Sequence, residues 1–191
     1  MNTPAHLLLG TAVFGRGGDR RVIAAAMAGS LLPDLSLYLL AGGALYVFGY
    51  APEIVFRELY YSDAWQTVFA IDNSFILWGL LLAVALIRRS PILIAFAGAG
   101  VLHLALDFPL HHDDARAHFW PVSDWVFRSP FSYWDPAQGA GWVSPVEVVL
   151  SAVAAVRIVM LRAGWWISGI AVLALVAELS VSWVWVYVFS P

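Results

Sequence analysis

Apolar residues run along this chain in stretches longer than the core face of a soluble helix requires, and few polar residues interrupt them. Read as helices, the pattern predicts a short apolar helix at about 3–14, a long one at 21–49 and a third at 64–88. A fourth starts at Pro91 and reaches about Phe108, a fifth opens at Pro145 and runs to Leu161, and a sixth spans Trp165 to Phe189. The sixth holds Glu178 as its only ionisable group short of Tyr187, and its length is enough to cross roughly 30 Å of hydrocarbon. Pro33 falls inside the second helix, where a bundle in lipid tolerates a kink. The stretch 113–144, rich in proline, glycine and aromatic residues, is too long for a passive connection and is expected to be folded and functional.

Composition turns this pattern into a fold class. With 61% apolar residues, 12% charged, no lysine and a mean hydropathy of +0.78, the chain reads as an all-α polytopic membrane bundle. About five full spans plus the short N-terminal helix form a single domain over 1–191, surrounded by membrane lipids. Pro4 to Phe14 has neither a basic lead nor a small-residue cleavage site, so it is expected to stay in the mature protein. A net charge of −3 points to no nucleic-acid partner. The absence of cysteine excludes disulfides, thiolate ligands and cysteine nucleophiles.

Arginines set the orientation. Arg16, Arg20 and Arg21, then Arg88 and Arg89, then Arg157 and Arg162 occupy alternate connections, which are expected on the cytoplasmic side of a bacterial inner membrane. The intervening connections, 51–63 and 113–144, are acidic and are expected in the periplasm. On this topology His6, Asp34, Asp72 with Asn73, and Asp107 with His111 come from four helices to one outer-half depth, which favours a shared periplasm-facing pocket.

His103, Asp107 and His111 recur at i, i+4 and i+8, one stripe of a continuous helix about 12 Å long. Imidazole and carboxylate neighbours suit Zn²⁺, Mn²⁺ or Fe²⁺, and Mg²⁺ if more oxygens join. A bland reading also stands, in which these are polar caps at headgroup depth, His6 is an interfacial histidine and Asp34 steadies the Pro33 kink. Arg116 and Arg128 are candidate anchors for an anionic small-molecule group, and His118 and Asn73 for substrate polar atoms. Glu178 fits either helix packing or a proton relay. Trp165, Trp166, Trp183, Trp185 and Tyr187 read as an aromatic belt.

Thr3-Pro4-Ala5-His6 with Gly10, the run Gly29-Ser30-Leu31-Leu32-Pro33-Asp34-Leu35-Ser36, and His103 followed by Asp107 resemble the bacterial inner-membrane metal-dependent hydrolases of the YdjM-like family. The resemblance covers about residues 1–120 and implies His6, Asp34, His103 and Asp107 as ligands of a divalent metal, Zn or Mn. Two departures stand out: Ser36 replaces that family's second aspartate, and Asn73 stands where it has a histidine, with Asp72 beside it as a compensating acid. The run from His111 to Pro121 is similar to a subgroup sometimes labelled cobalamin biosynthesis. A glutamine-dependent amidotransferase needs a cysteine nucleophile, which this chain lacks.

The leading expectation is a metal-dependent hydrolase of a lipid-linked or periplasmic ester or phosphoester, with Asp72 or Asp114 as proton acceptor. The alternatives are a membrane protein handling metal ions or protons, and a structural subunit docking a partner through its outer loop.

Overall fold

The computed structural model describes residues 1–189, with side chains through Val181, and the described residues contain helices and loops but no strands. Trp183, Trp185 and Tyr187 of the expected aromatic belt lie outside the described side chains. The helices are α1 (Thr3–Phe14), α2 (Arg20–Gly42), α3 (Pro52–Ile54), α4 (Asp63–Asp72), α5 (Phe75–Ile87), α6 (Pro91–Asp107), α7 (Ala140–Met160) and α8 (Trp165–Phe189). Three helical stretches, Arg20–Val47, Asp63–Ile87 and Ala140–Met160, are long and apolar enough to cross a membrane. α1, α6 and the stretch Trp165–Val181 are apolar but shorter.

Helix starts follow side-chain chemistry. The hydroxyls of Ser74 and Ser90 accept from the amides of Leu77 and Leu93 at 3.1 and 3.4 Å, and Pro91 occupies the first turn of α6 where its missing N–H costs nothing. Asp19 accepts from Arg21 N–H at the start of α2.

Three expectations change. The single helix at 64–88 is two, because the Asn73 amide turns back to the carbonyls of Phe69 (3.0 Å) and Pro33 (3.3 Å) and Ser74 starts a new helix. The fifth helix begins at Ala140, a full turn before Pro145, because Gly139 takes a left-handed conformation (φ 87°) that starts the helix early. Connection 51–63 is itself helical: α3 runs into a π-helical turn at Val55–Leu59, and the buried Val55 packs on Ala41 and Ala44 near the end of α2.

The shortest apolar helix is the hub. α1 packs against α2, α6, α7 and α8 at once, so it is buried around most of its circumference. α2 and α6 cross closely through Ala26, Gly29, Ala95 and Ala99. A Cβ at Gly29 would lie 2.0 Å from the Phe96 carbonyl oxygen, so only glycine permits this approach.

Gly29→Ala is therefore expected to lower stability by about 1–3 kcal/mol, read as an earlier thermal unfolding transition in detergent. Gly79→Ala, on a helical position of α5 with nothing within 4 Å of its would-be Cβ, should leave that transition unchanged or raise it slightly.

Candidate metal centre

The close α2–α6 crossing brings His103 beside the backbone of α2. His103 Nδ1 lies 2.7 Å from the Ser30 carbonyl oxygen, which can only accept, so Nδ1 carries the hydrogen. The other ring nitrogen, Nε2, then faces two carboxylates: Asp107 Oδ2 at 3.2 Å and Asp34 Oδ1 at 3.5 Å. It makes no aligned hydrogen bond to either. A lone pair between two anionic oxygens calls for a positive charge, either a proton or a metal ion.

His6 comes to the same place from α1. Its ring stacks on that of His103, with centroids 3.5 Å apart and planes 10° from parallel, and its Nε2 lies 2.8 Å from Asp107 Oδ1. His6, His103 and Asp107 offer ligand atoms that all fall within 4.8 Å of one another, and all three residues are buried. The expected stripe of one continuous helix is not how His111 arrives. α6 ends at Asp107 and the chain turns through Phe108-Pro109-Leu110, with Leu110 N–H bonded to the Asp107 carbonyl at 2.8 Å. His111 Nε2 returns to 3.3 Å from Asp107 Oδ1, and its Nδ1 lies 2.9 Å from Asp114 Oδ2. Thr3 Oγ1 donates to Asp34 Oδ2 at 2.5 Å and accepts from the Tyr38 hydroxyl at 2.9 Å, which fixes the Asp34 carboxylate.

The five expected residues thus lie near one another, and three of them, His6, His103 and Asp107, bring ligand atoms close enough to share one ion. Two imidazoles and a carboxylate are a donor set suited to Zn²⁺ or Mn²⁺, and the Ser30 carbonyl on His103 is the kind of outer contact that orients metal-bound histidines.

The remaining candidates separate. Asp114 joins the cluster through His111 and also accepts from Trp134 Nε1 at 3.2 Å. Burial favours its neutral acid, but His111 outweighs burial and holds the carboxyl below its usual range. Arg116 is buried at 6% exposure with its guanidinium carbon 4.6 Å from the Phe69 ring centroid, whereas Arg128 is exposed. His118 and the Asn73 backbone carbonyl fasten the loop after α6 to the α4–α5 break, while the Asn73 side-chain amide donates to the Phe69 and Pro33 carbonyls. His118 Nδ1 meets the Asn73 carbonyl at 2.9 Å, Phe75 N–H donates to the His118 carbonyl at 2.8 Å, and Ser74 Oγ donates to the Trp120 carbonyl at 2.5 Å. Asp72 lies apart, half-buried beside Ser36, in a cavity of about 180 Å³ lined by Leu32, Ile71, Leu77, Trp78, Leu81 and Phe96.

Sequence reasoning missed Glu147 and the environment of Glu178. Both are buried, and they reach the start of α1 from α7 and α8. Asn2 N–H donates to Glu147 Oε1 at 2.5 Å and Asn2 Nδ2 to Glu178 Oε1 at 3.1 Å, while the Met1 amine lies 2.5 Å from Asp107 Oδ1. The first-turn amides of a helix lack intrahelical partners and carry its positive dipole end, so two carboxylates from neighbouring helices cap α1 from outside. The available signal was a lone acid in each of two otherwise apolar helices.

Glu147→Ala should cost about 1–2 kcal/mol, measured by thermal or denaturant unfolding in detergent, because it strips the Asn2 amide of its acceptor. Glu147→Gln retains an acceptor oxygen and should lose less.

Comparison with family models, with curated proteins and with solved structures gives no match for this chain.

Proposed function

We propose that the protein is a metal-dependent hydrolase of the bacterial inner membrane that acts on an ester or phosphoester, lipid-linked or periplasmic, at a site facing the periplasm. The observation that carries this reading is His103, whose Nδ1 is pinned to the Ser30 carbonyl so that Nε2 points between Asp107 and Asp34. Partial motif resemblance to the YdjM-like membrane hydrolases, at His6, Asp34, His103 and Asp107, points the same way.

In this reading His6, His103 and Asp107 would hold the ion, with Asp34 and His111 beside them. Such an ion, when bound, supplies an acidified water and polarises the scissile group. Asp114, kept ionised by His111, takes the proton of the attacking water. Asp72, in its separate cavity, has no part in this step. Trp134 and His111 both hold the Asp114 carboxylate.

The span arrangement belongs to the same proposal. α2, α4 continued by α5, α6, α7 and α8 make five crossings, and the arginine-bearing connections lie in the cytoplasm.

Protein purified in detergent without chelator is expected to retain about one divalent ion per chain, measured by elemental analysis. His103→Ala and Asp107→Asn should each reduce that content tenfold or more and abolish hydrolysis of a panel of aryl esters and phosphoesters, with an unchanged elution profile. Equal and negligible metal in wild type and variants would sink the reading.

Orientation is testable because the chain lacks cysteine. In intact spheroplasts a membrane-impermeant maleimide should label Glu53→Cys and Asp113→Cys, and leave Arg16→Cys and Arg88→Cys unlabelled until the membrane is opened.

A further inference from the structure

We propose that the buried guanidinium of Arg116 receives a phosphoryl oxyanion at the edge of the His6–His103–Asp107 centre, so that the substrates are phosphoesters and not neutral carboxylic esters. The inference rests on the metal-hydrolase reading above and narrows it.

The first observation is what Arg116 leaves unused. Its side chain is buried, the Phe69 ring covers one face of the guanidinium at 4.6 Å, and Nε and Nη1 have no hydrogen-bond partner. Those two nitrogens belong to different edges of the planar group, so each edge able to take an oxyanion keeps an open donor. A buried donor without a partner is costly, and a phosphoryl group offers the acceptor oxygens that would satisfy it.

The second is what lies around it. Tyr60 is a hydrogen-bond partner of Arg116, and the nearby carboxylates of Asp34, Asp107 and Asp114 favour its charged form, yet no salt bridge joins Arg116 to these carboxylates among the described residues. Simple charge balance would draw the guanidinium into contact with one of them. A divalent ion held by Asp34 and Asp107 would offset their charge, and Asp114 is already paired with His111. An oxyanion received there would be served by both the ion and the guanidinium. This is the disposition that stabilises charge on the equatorial oxygens of a transferring phosphoryl group.

The chemistry balances with water alone as co-reactant. Water oxygen forms the new P–O bond, the P–O bond to the alcohol breaks, and the proton taken by Asp114 passes to the departing alkoxide. A neutral carboxylic ester presents no anionic oxygen before attack and would offer Arg116 only the weaker acceptor of an uncharged carbonyl.

The test uses the full-length protein in detergent, loaded with Mn²⁺, with binding of radiolabelled inorganic phosphate and metal content measured on the same samples. Arg116→Gln is expected to weaken phosphate binding tenfold or more, Arg116→Lys to weaken it less, and neither to change metal content. Acetate should compete at least tenfold less well than phosphate. The proposal is overturned if metal-loaded wild type fails to bind phosphate, if both Arg116 variants bind it as tightly as wild type, or if acetate competes equally. Each of those results leaves the metal centre standing, whereas a wild type that retains no metal removes the centre and this inference together. Displacement of phosphate by phosphatidic acid but not glycerol phosphate assigns the phosphoryl group to a lipid headgroup, and the reverse assigns it to a soluble ester.

Discussion

A backbone carbonyl accepts and never donates, and the arrangement of the whole centre depends on that property at Ser30. Because this oxygen takes the Nδ1 hydrogen of His103, the remaining ring nitrogen is left facing Asp107 and Asp34. No choice of side-chain rotamer elsewhere relieves this, since the carbonyl belongs to the body of α2 and the imidazole to the body of α6. The close crossing at Gly29 is what brings the two helices near enough for the bond to form. Packing of small residues and polarity of the centre are therefore one constraint: widening the crossing would release His103 to rotate and would dissolve the demand for a cation.

α1 plays a comparable part from the other side. A helix of 12 residues is too short to cross hydrocarbon, and its unpaired first-turn amides cannot face lipid. Glu147 accepts from the backbone N–H of Asn2 and Glu178 from its side-chain amide, which anchors the start of α1 to α7 and α8. His6 lies within the first turns of that helix, so the same two acids position a ligand that neither of them touches. The buried acids accordingly divide into Asp34 and Asp107, which face the imidazoles, and Glu147 and Glu178, which hold the scaffold.

Much of this was legible in the chain. Alternation of arginine-bearing connections gives an expected depth that groups His6, Asp34, Asp72, Asn73, Asp107 and His111; of these, His6, Asp34, Asp107 and His111 lie together, while Asp72 lines a separate cavity. Periodicity was less informative: the i, i+4, i+8 spacing predicts one stripe, but Pro109 and the turn after Asp107 carry His111 back by a different route to the same carboxylate. The break at Asn73 and the helical character of 51–63 depend on tertiary partners, Pro33 for the first and Ala41 with Ala44 for the second, which no local pattern encodes. Glu147 follows Pro145 closely and reads locally as an ordinary early-helix acid; only the packing of α7 on α1 gives it a partner.

The position of Asp72 bears on how many ions the protein would hold. Where the YdjM-like pattern has a second aspartate this chain has Ser36, and Asp72 is the natural substitute by sequence. Folded, Asp72 does sit beside Ser36, but in a cavity bounded by Leu32, Trp78, Leu81 and Phe96, with Asn73 spending its amide on backbone carbonyls. One half-buried carboxylate among apolar walls offers a cation too few oxygens, and the imidazole that would complete the set is absent from position 73. Asp107, by contrast, has His6, His103 and His111 within 3.3 Å. The imidazoles of this chain converge on that carboxylate, and the proposed centre accordingly has ligands for a single ion.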